Sequence, residues 1–149
     1  MLLDSDSNRL LAKYYQPLHP DPKQPTTPTH YSTLKEQRAF ETGLYEKTRK
    51  LNGTSPILSL SLLPTLTNQK ESTGDILLYD NHLVLYKSSL DLTFYLVAPQ
   101  LENEIMLQSV LSAFYDAVAM LLRHQVEKRS ILENLDLVVL ALDETIDNG

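Results

Sequence analysis

Asp75-Ile76-Leu77-Leu78-Tyr79, Asp80-Asn81, His82-Leu83-Val84-Leu85-Tyr86-Lys87, Ser88-Ser89 and Leu90-Asp91-Leu92-Thr93-Phe94-Tyr95-Leu96-Val97-Ala98 alternate short apolar runs with polar pairs of turn residues. Each run is short and rich in aliphatic and aromatic side chains, so the stretch reads as a three-stranded antiparallel meander. Side chains alternate along a strand. In the last run Leu90, Leu92, Phe94 and Leu96 therefore share one face, and Tyr95 and Val97 the other. A strand apolar on both faces belongs in the middle of a sheet.

Downstream, residues 102–124 read as a helix. Its apolar arc of about 200° runs from Met120 through Ala113, Met106, Ala117 and Val110 to Phe114, Val118 and Leu122. One sheet face cannot cover so wide an arc, which predicts a helix sandwiched between the sheet and a third helix over 127–147. That third helix offers Ile131, Leu132, Leu135, Val138, Val139, Leu142 and Ile146. Upstream, Met1-Leu2-Leu3 and residues 9–15 flank the polar run Asp4-Ser5-Asp6-Ser7-Asn8 and read as a hairpin. Pro17, Pro20, Pro22, Pro25 and Pro28 forbid regular structure and make 16–30 a long surface loop. Thr33-Leu34-Lys35-Glu36 matches a capping box. It opens a first helix that ends at Asn52-Gly53 and carries one thin apolar stripe, Phe40, Leu44 and Leu51. Residues 52–74 read as a second long loop, with a short apolar anchor at 57–63. The order β-β-α-β-β-β-α-α predicts a single α/β (α+β) domain over 1–149. Its antiparallel sheet has five strands, with one helix on one face and two on the other.

The 149 residues are 42% hydrophobic and 21% charged, with no cysteine and a formal net charge of -6. The length suits one packed core. Without cysteine there is no disulfide framework, thiolate metal site or thiol nucleophile, which fits a reducing compartment. The acidic balance argues against an autonomous nucleic-acid binder or a polybasic membrane anchor. Residues 56–66, the longest apolar stretch, are interrupted by Ser59, Ser61 and Pro64 and fall well short of the ~20 residues a spanning helix needs. No signal peptide is expected, and any membrane association must be borrowed from partners.

Motifs for catalysis do not survive inspection. Asp4-Ser5-Asp6-Ser7-Asn8 resembles the start of a calcium loop, but Arg9 and Tyr15 stand where that loop needs Gly and Glu. A phosphotransfer aspartate would need acidic and basic partners from a larger sheet, whereas a hairpin turn explains the same residues. His19, His30, His82 and His124 share no metal-ligand spacing. Asn52-Gly53-Thr54 is a glycosylation triplet that reads here as a helix stop. No catalytic residue, cofactor or metal is expected.

Two surface clusters remain. With the third helix's core arc on Ile131, Leu135, Val138, Leu142 and Ile146, Leu137 and Leu140 point nearly opposite, beside Glu133, Glu144 and Asp147. Leu137, Leu140 and Glu144 are the candidate partner-contact residues. A solvated face explains acids at this helix end equally well. Arg123, His124, Lys128 and Arg129 surround the turn between the second and third helices and could meet lipid phosphates, although complementarity to a helix C-terminus accounts for part of that cluster.

Five stretches, Asp4 to Tyr15, Leu34 to Glu41, Tyr86 to Leu92, Glu102 to Leu107, and Lys128 to Asn134 with Asp143-Glu144, together resemble the coatomer zeta subunits, relatives of the small sigma chains of clathrin adaptors. The resemblance implies a longin-like (SNARE-like) fold and a non-enzymatic role in the COPI vesicle coat. It further implies binding to the gamma large subunit, and through it to the rest of coatomer, with an Arf-type GTPase acting indirectly in Golgi-to-ER and intra-Golgi transport. Location would be cytoplasmic and peripheral on Golgi membranes. Residues 16–28 are longer than that family leads one to expect, 52–72 look inserted, and family members are expected to extend beyond both ends. Two other roles stay open: a sigma-type chain that reads dileucine signals, and a longin scaffold of a GTPase regulator.

Overall fold

A computed structural model describes residues 1–15, 31, 33–53 and 75–146. The expected apolar anchor at 57–63 and nearly all of both expected loops lie outside these residues. The chain divides into two compact units, Met1–Pro20 with Thr73–Gly149, and Asp21–Ser72.

The first unit is built on the meander. Strands β3 (Asp75–Tyr79), β4 (His82–Ser88) and β5 (Leu92–Pro99) pair antiparallel in sequence order. Asp80 and Asn81 turn between β3 and β4 with φ of 49° and 59°, the left-handed pair that a two-residue hairpin loop demands. β1 (Leu2–Asp4) joins the free side of β5, and β2 (Arg9–Leu11) pairs with β1, giving the order β2-β1-β5-β4-β3. β5 is central, as its two apolar faces require. It starts later than expected, however: Ser89 donates its backbone N–H to the Leu92 carbonyl at 2.8 Å. Leu90 is thereby left in the turn, 91% exposed.

Helix α2 (Glu104–Leu121) begins at Asn103, whose side chain accepts from the backbone N–H groups of Ile105 and Met106. It ends in a Schellman motif: His124 N–H donates to the Ala119 carbonyl at 2.6 Å and Arg123 N–H to that of Met120 at 3.2 Å. Leu107, Leu111, Phe114, Val118 and Leu122 join Leu2, Leu83, Leu85, Leu92 and Phe94 in one core. Phe94 meets Phe114 and Tyr115 edge-on, with centroids 5.9 and 5.2 Å apart. The rest of the wide apolar arc is not sandwiched. Met106, Ala113, Met120 and Leu121 are exposed, because the core takes in a single face of the helix.

The expected third helix is two helices, α3 (Lys128–Glu133) and α4 (Leu135–Thr145). Asn134 breaks it with φ -127° and ψ 33°. Its side chain donates to the Ser130 carbonyl at 2.9 Å, the local competition by which asparagine interrupts helices. The phase of the short α3 then places Ile131 fully in the core and leaves Leu132 50% exposed, against the expectation that both are core.

In the second unit, helix α1 (Leu34–Gly53) starts with a reciprocal capping box. Thr33 N–H donates to the Glu36 carboxylate at 3.1 Å, and Glu36 N–H to Thr33 Oγ1 at 3.2 Å. Phe40 and Leu44 are buried but Leu51 is 51% exposed. The buried face is turned from the apolar stripe towards Glu41 and Thr48, both 2% exposed. The sheet and its helices form the α+β architecture expected from the sequence.

Candidate functional site

Three of the stretches that carry the family resemblance converge at one end of β1 and β5. Asp4, 1% exposed, accepts on Oδ1 from the backbone N–H groups of Asp6 (2.9 Å) and Asn8 (2.7 Å). Its Oδ2 accepts from Asn8 Nδ2 (3.1 Å) and Lys128 Nζ (2.7 Å). Burial raises the carboxyl pKa, but the bonds from Lys128, Asn8 and Asp6 outweigh it and hold the group down at about 2. The Asp4 bond in turn raises the Lys128 pKa. Asp91 accepts the Lys128 backbone N–H on both carboxylate oxygens, at 3.1 and 3.2 Å, and its carbonyl accepts from Ser5 N–H. Ser89 Oγ donates to the Val126 carbonyl at 2.9 Å. The node fastens the hairpin, the β4–β5 turn and the start of α3. Its groups satisfy one another and tie three segments of the fold together. Sequence reading recognised the Asp4 turn and placed Lys128 in a basic cluster but missed that Lys128 and Asp91 meet this turn, since nothing local signals a contact across so much chain.

A shallow, open depression beside this node is lined by Asp91, Lys128, Arg129, Leu132 and Glu133. Lys128 is held by Asp4, and Arg129 by Glu133 at 2.8 Å. Of the basic cluster Arg123, His124, Lys128 and Arg129, Arg123 and His124 have no such partner among the described residues. Two of the four charges offered to a phosphate are already used. Among the described residues no group of three or more His, Asp or Glu could hold a metal ion.

The candidate partner contacts are on α4. Leu137 and Leu140 are 39% and 63% exposed, while Val138 and Leu142 are in the core. Glu144 is exposed. Its neighbour Asp143 is bonded by Lys13 Nζ at 2.5 Å, and Tyr15 donates its hydroxyl to the Ile146 carbonyl at 3.1 Å. The acidic helix end is thus partly tied to the segment after β2. Asp147 lies outside the described residues. What the structure brings together is a fully bonded polar node under a helical layer with outward leucines, an arrangement suited to holding and being held.

The chain is 39% identical over 149 residues to coatomer subunit zeta of Saccharomyces cerevisiae, covering all of this chain and 67% of that protein. It is 36% identical over 149 residues to coatomer subunit zeta-1 of Homo sapiens and of Oryza sativa, covering 66% and 68% of those chains. The chain spans about two thirds of the length of these relatives. The family model for the clathrin adaptor complex small chain matches residues 1–149, and the chain belongs to that family.

Proposed function

We propose that this chain is a zeta-type small subunit of a COPI vesicle coat. It is a non-enzymatic structural member held by the gamma large subunit, and through it joined to the rest of coatomer. The observation that carries the reading is similarity along the whole chain to proteins named coatomer subunit zeta in fungi, animals and plants. In this role the subunit is cytoplasmic, reaches Golgi membranes only within the assembled coat recruited by an Arf-type GTPase, and serves Golgi-to-ER and intra-Golgi transport. Residues 1–149 act as one longin-like domain. Leu137, Leu140 and Glu144 contribute to the surface that meets the large subunit.

Co-expression with a gamma large subunit tests the reading directly. A stable one-to-one complex is expected by size exclusion and sedimentation. Failure to associate with gamma, together with association with the large chain of a clathrin adaptor and binding of dileucine peptides by that complex, would replace it with the sigma-type role.

A further inference from the structure

The part of α2 that the core does not use is apolar. Met106, Val110, Ala113, Ala117 and Met120 follow at intervals of four, three, four and three residues, a spacing that sets them on one line along a helix. Met106 and Met120 are 52% and 71% exposed. Ala113 is exposed, and Val110 and Ala117 are half-buried. Leu121 and Ile105, 45% and 79% exposed, flank the line. α4 lies against α2 and turns Leu137 and Leu140 outward, so two neighbouring helices carry surplus apolar surface.

The charges around this surface narrow its occupant. Glu102 and Asp116 of the α2 segment and Asp136 and Glu144 of α4 are all exposed, and none forms an ion pair with a described residue. Two exposed basic side chains, Arg123 and His124, follow at the far end of α2, so the acids are in excess. A second copy of the chain would bring the same acids against themselves across a two-fold contact. An anionic lipid surface would repel them. A protein helix with basic edges suits both features. The four-three spacing is that of a seam between helices, the alanines let backbones approach, and the flexible methionines adapt to the partner's side chains.

We propose that the outward face of α2, centred on Met106, Ala113 and Met120, docks an amphipathic, basic-edged helix of the large-subunit partner. The proposal rests on the coat-subunit reading and adds the surface and the chemistry of its occupant.

The experiment measures binding of the full chain to the complete gamma subunit for wild type, Met106→Ser/Met120→Ser, Asp116→Lys, and the control Leu90→Ser. The methionine variant is expected to bind about tenfold or more weakly, as loss of apolar anchors does. Asp116→Lys, a change at an exposed position that leaves the core untouched, is expected to bind several-fold more weakly with a reduced salt dependence. Leu90→Ser should match wild type. If wild type binds and both α2 variants bind equally well, the proposal is overturned while the coat reading stands; if wild type does not bind, the coat reading itself fails. Methionine-dependent self-association of the chain alone, or methionine-dependent flotation with phosphatidylserine vesicles, would overturn the proposal in favour of a second copy or a lipid surface.

Discussion

Asp4 accepts four hydrogen bonds on a carboxylate that is 1% exposed. Its pKa falls from an ordinary 3.8 to about 2 in the fold. A carboxyl depressed in this way stabilises the folded state above its unfolded pKa, and the contribution is lost as pH falls through the folded value. Asp4 should therefore supply ~2 kcal/mol at neutral pH that disappears between about pH 4 and pH 2. Asp4→Asn is expected to lower the unfolding free energy by about that amount and to flatten its pH dependence in the same window, as urea titrations at several pH values will show. Lys128→Met acts on the same carboxylate from the other side. By removing the cation it should raise the Asp4 pKa and move the acid-unfolding midpoint to higher pH, with the neutral-pH circular dichroism spectrum unchanged. The turn at Asp4 was legible in the sequence because Asp, Ser and Asn signal turns locally. Its partners were not, because a bond between Asp4 and Lys128 joins residues 124 positions apart and leaves no periodic trace.

The helices divide between what period predicts and what it hides. On α4 the expected phase holds for Val138 and Leu142 inside and Leu137 and Leu140 outside, since all four lie on one uninterrupted helical segment. Leu142→Ala is accordingly expected to cost ~2–4 kcal/mol. Leu137→Ser with Leu140→Ser should change the stability of the isolated chain by no more than about 1 kcal/mol, both measured by chemical denaturation. Where a helix is interrupted or ends, period misleads. Asn134 resets the phase and exposes Leu132. Leu51 falls on the apolar line of α1 but sits in its last turn, while Glu41 and Thr48, polar by type, are buried. For α2 the wide apolar arc predicts contact with both the sheet and the following helix, and α2 meets β4, β5 and α4. The arc is nonetheless wider than these neighbours cover, and Met106 and Met120 stay outside.

At the scale of the molecule, the hairpin, the meander and the interior place of β5 were legible because a strand apolar on both faces does not belong at a sheet edge, whereas the pairing of β1 with β5 that joins the two pieces left no mark in the sequence. A docking face this apolar also links folding to assembly. The melting temperature of the chain should rise when the large subunit is added in excess, since a ligand of the native state alone stabilises it by mass action. A scan with and without partner measures the shift. The sheet carries a further consequence for biosynthesis. β1 lies between β2 and β5, and Leu3 pairs with Thr93, so β1, translated well before β5, completes its place only when β5 arrives. At typical elongation rates, its partner leaves the ribosome roughly 5 to 18 seconds later. Throughout that interval Leu2 and Leu3, destined for the interior, wait beside at most one neighbouring strand, and the nascent chain presents a sticky edge to whatever chaperone meets it first.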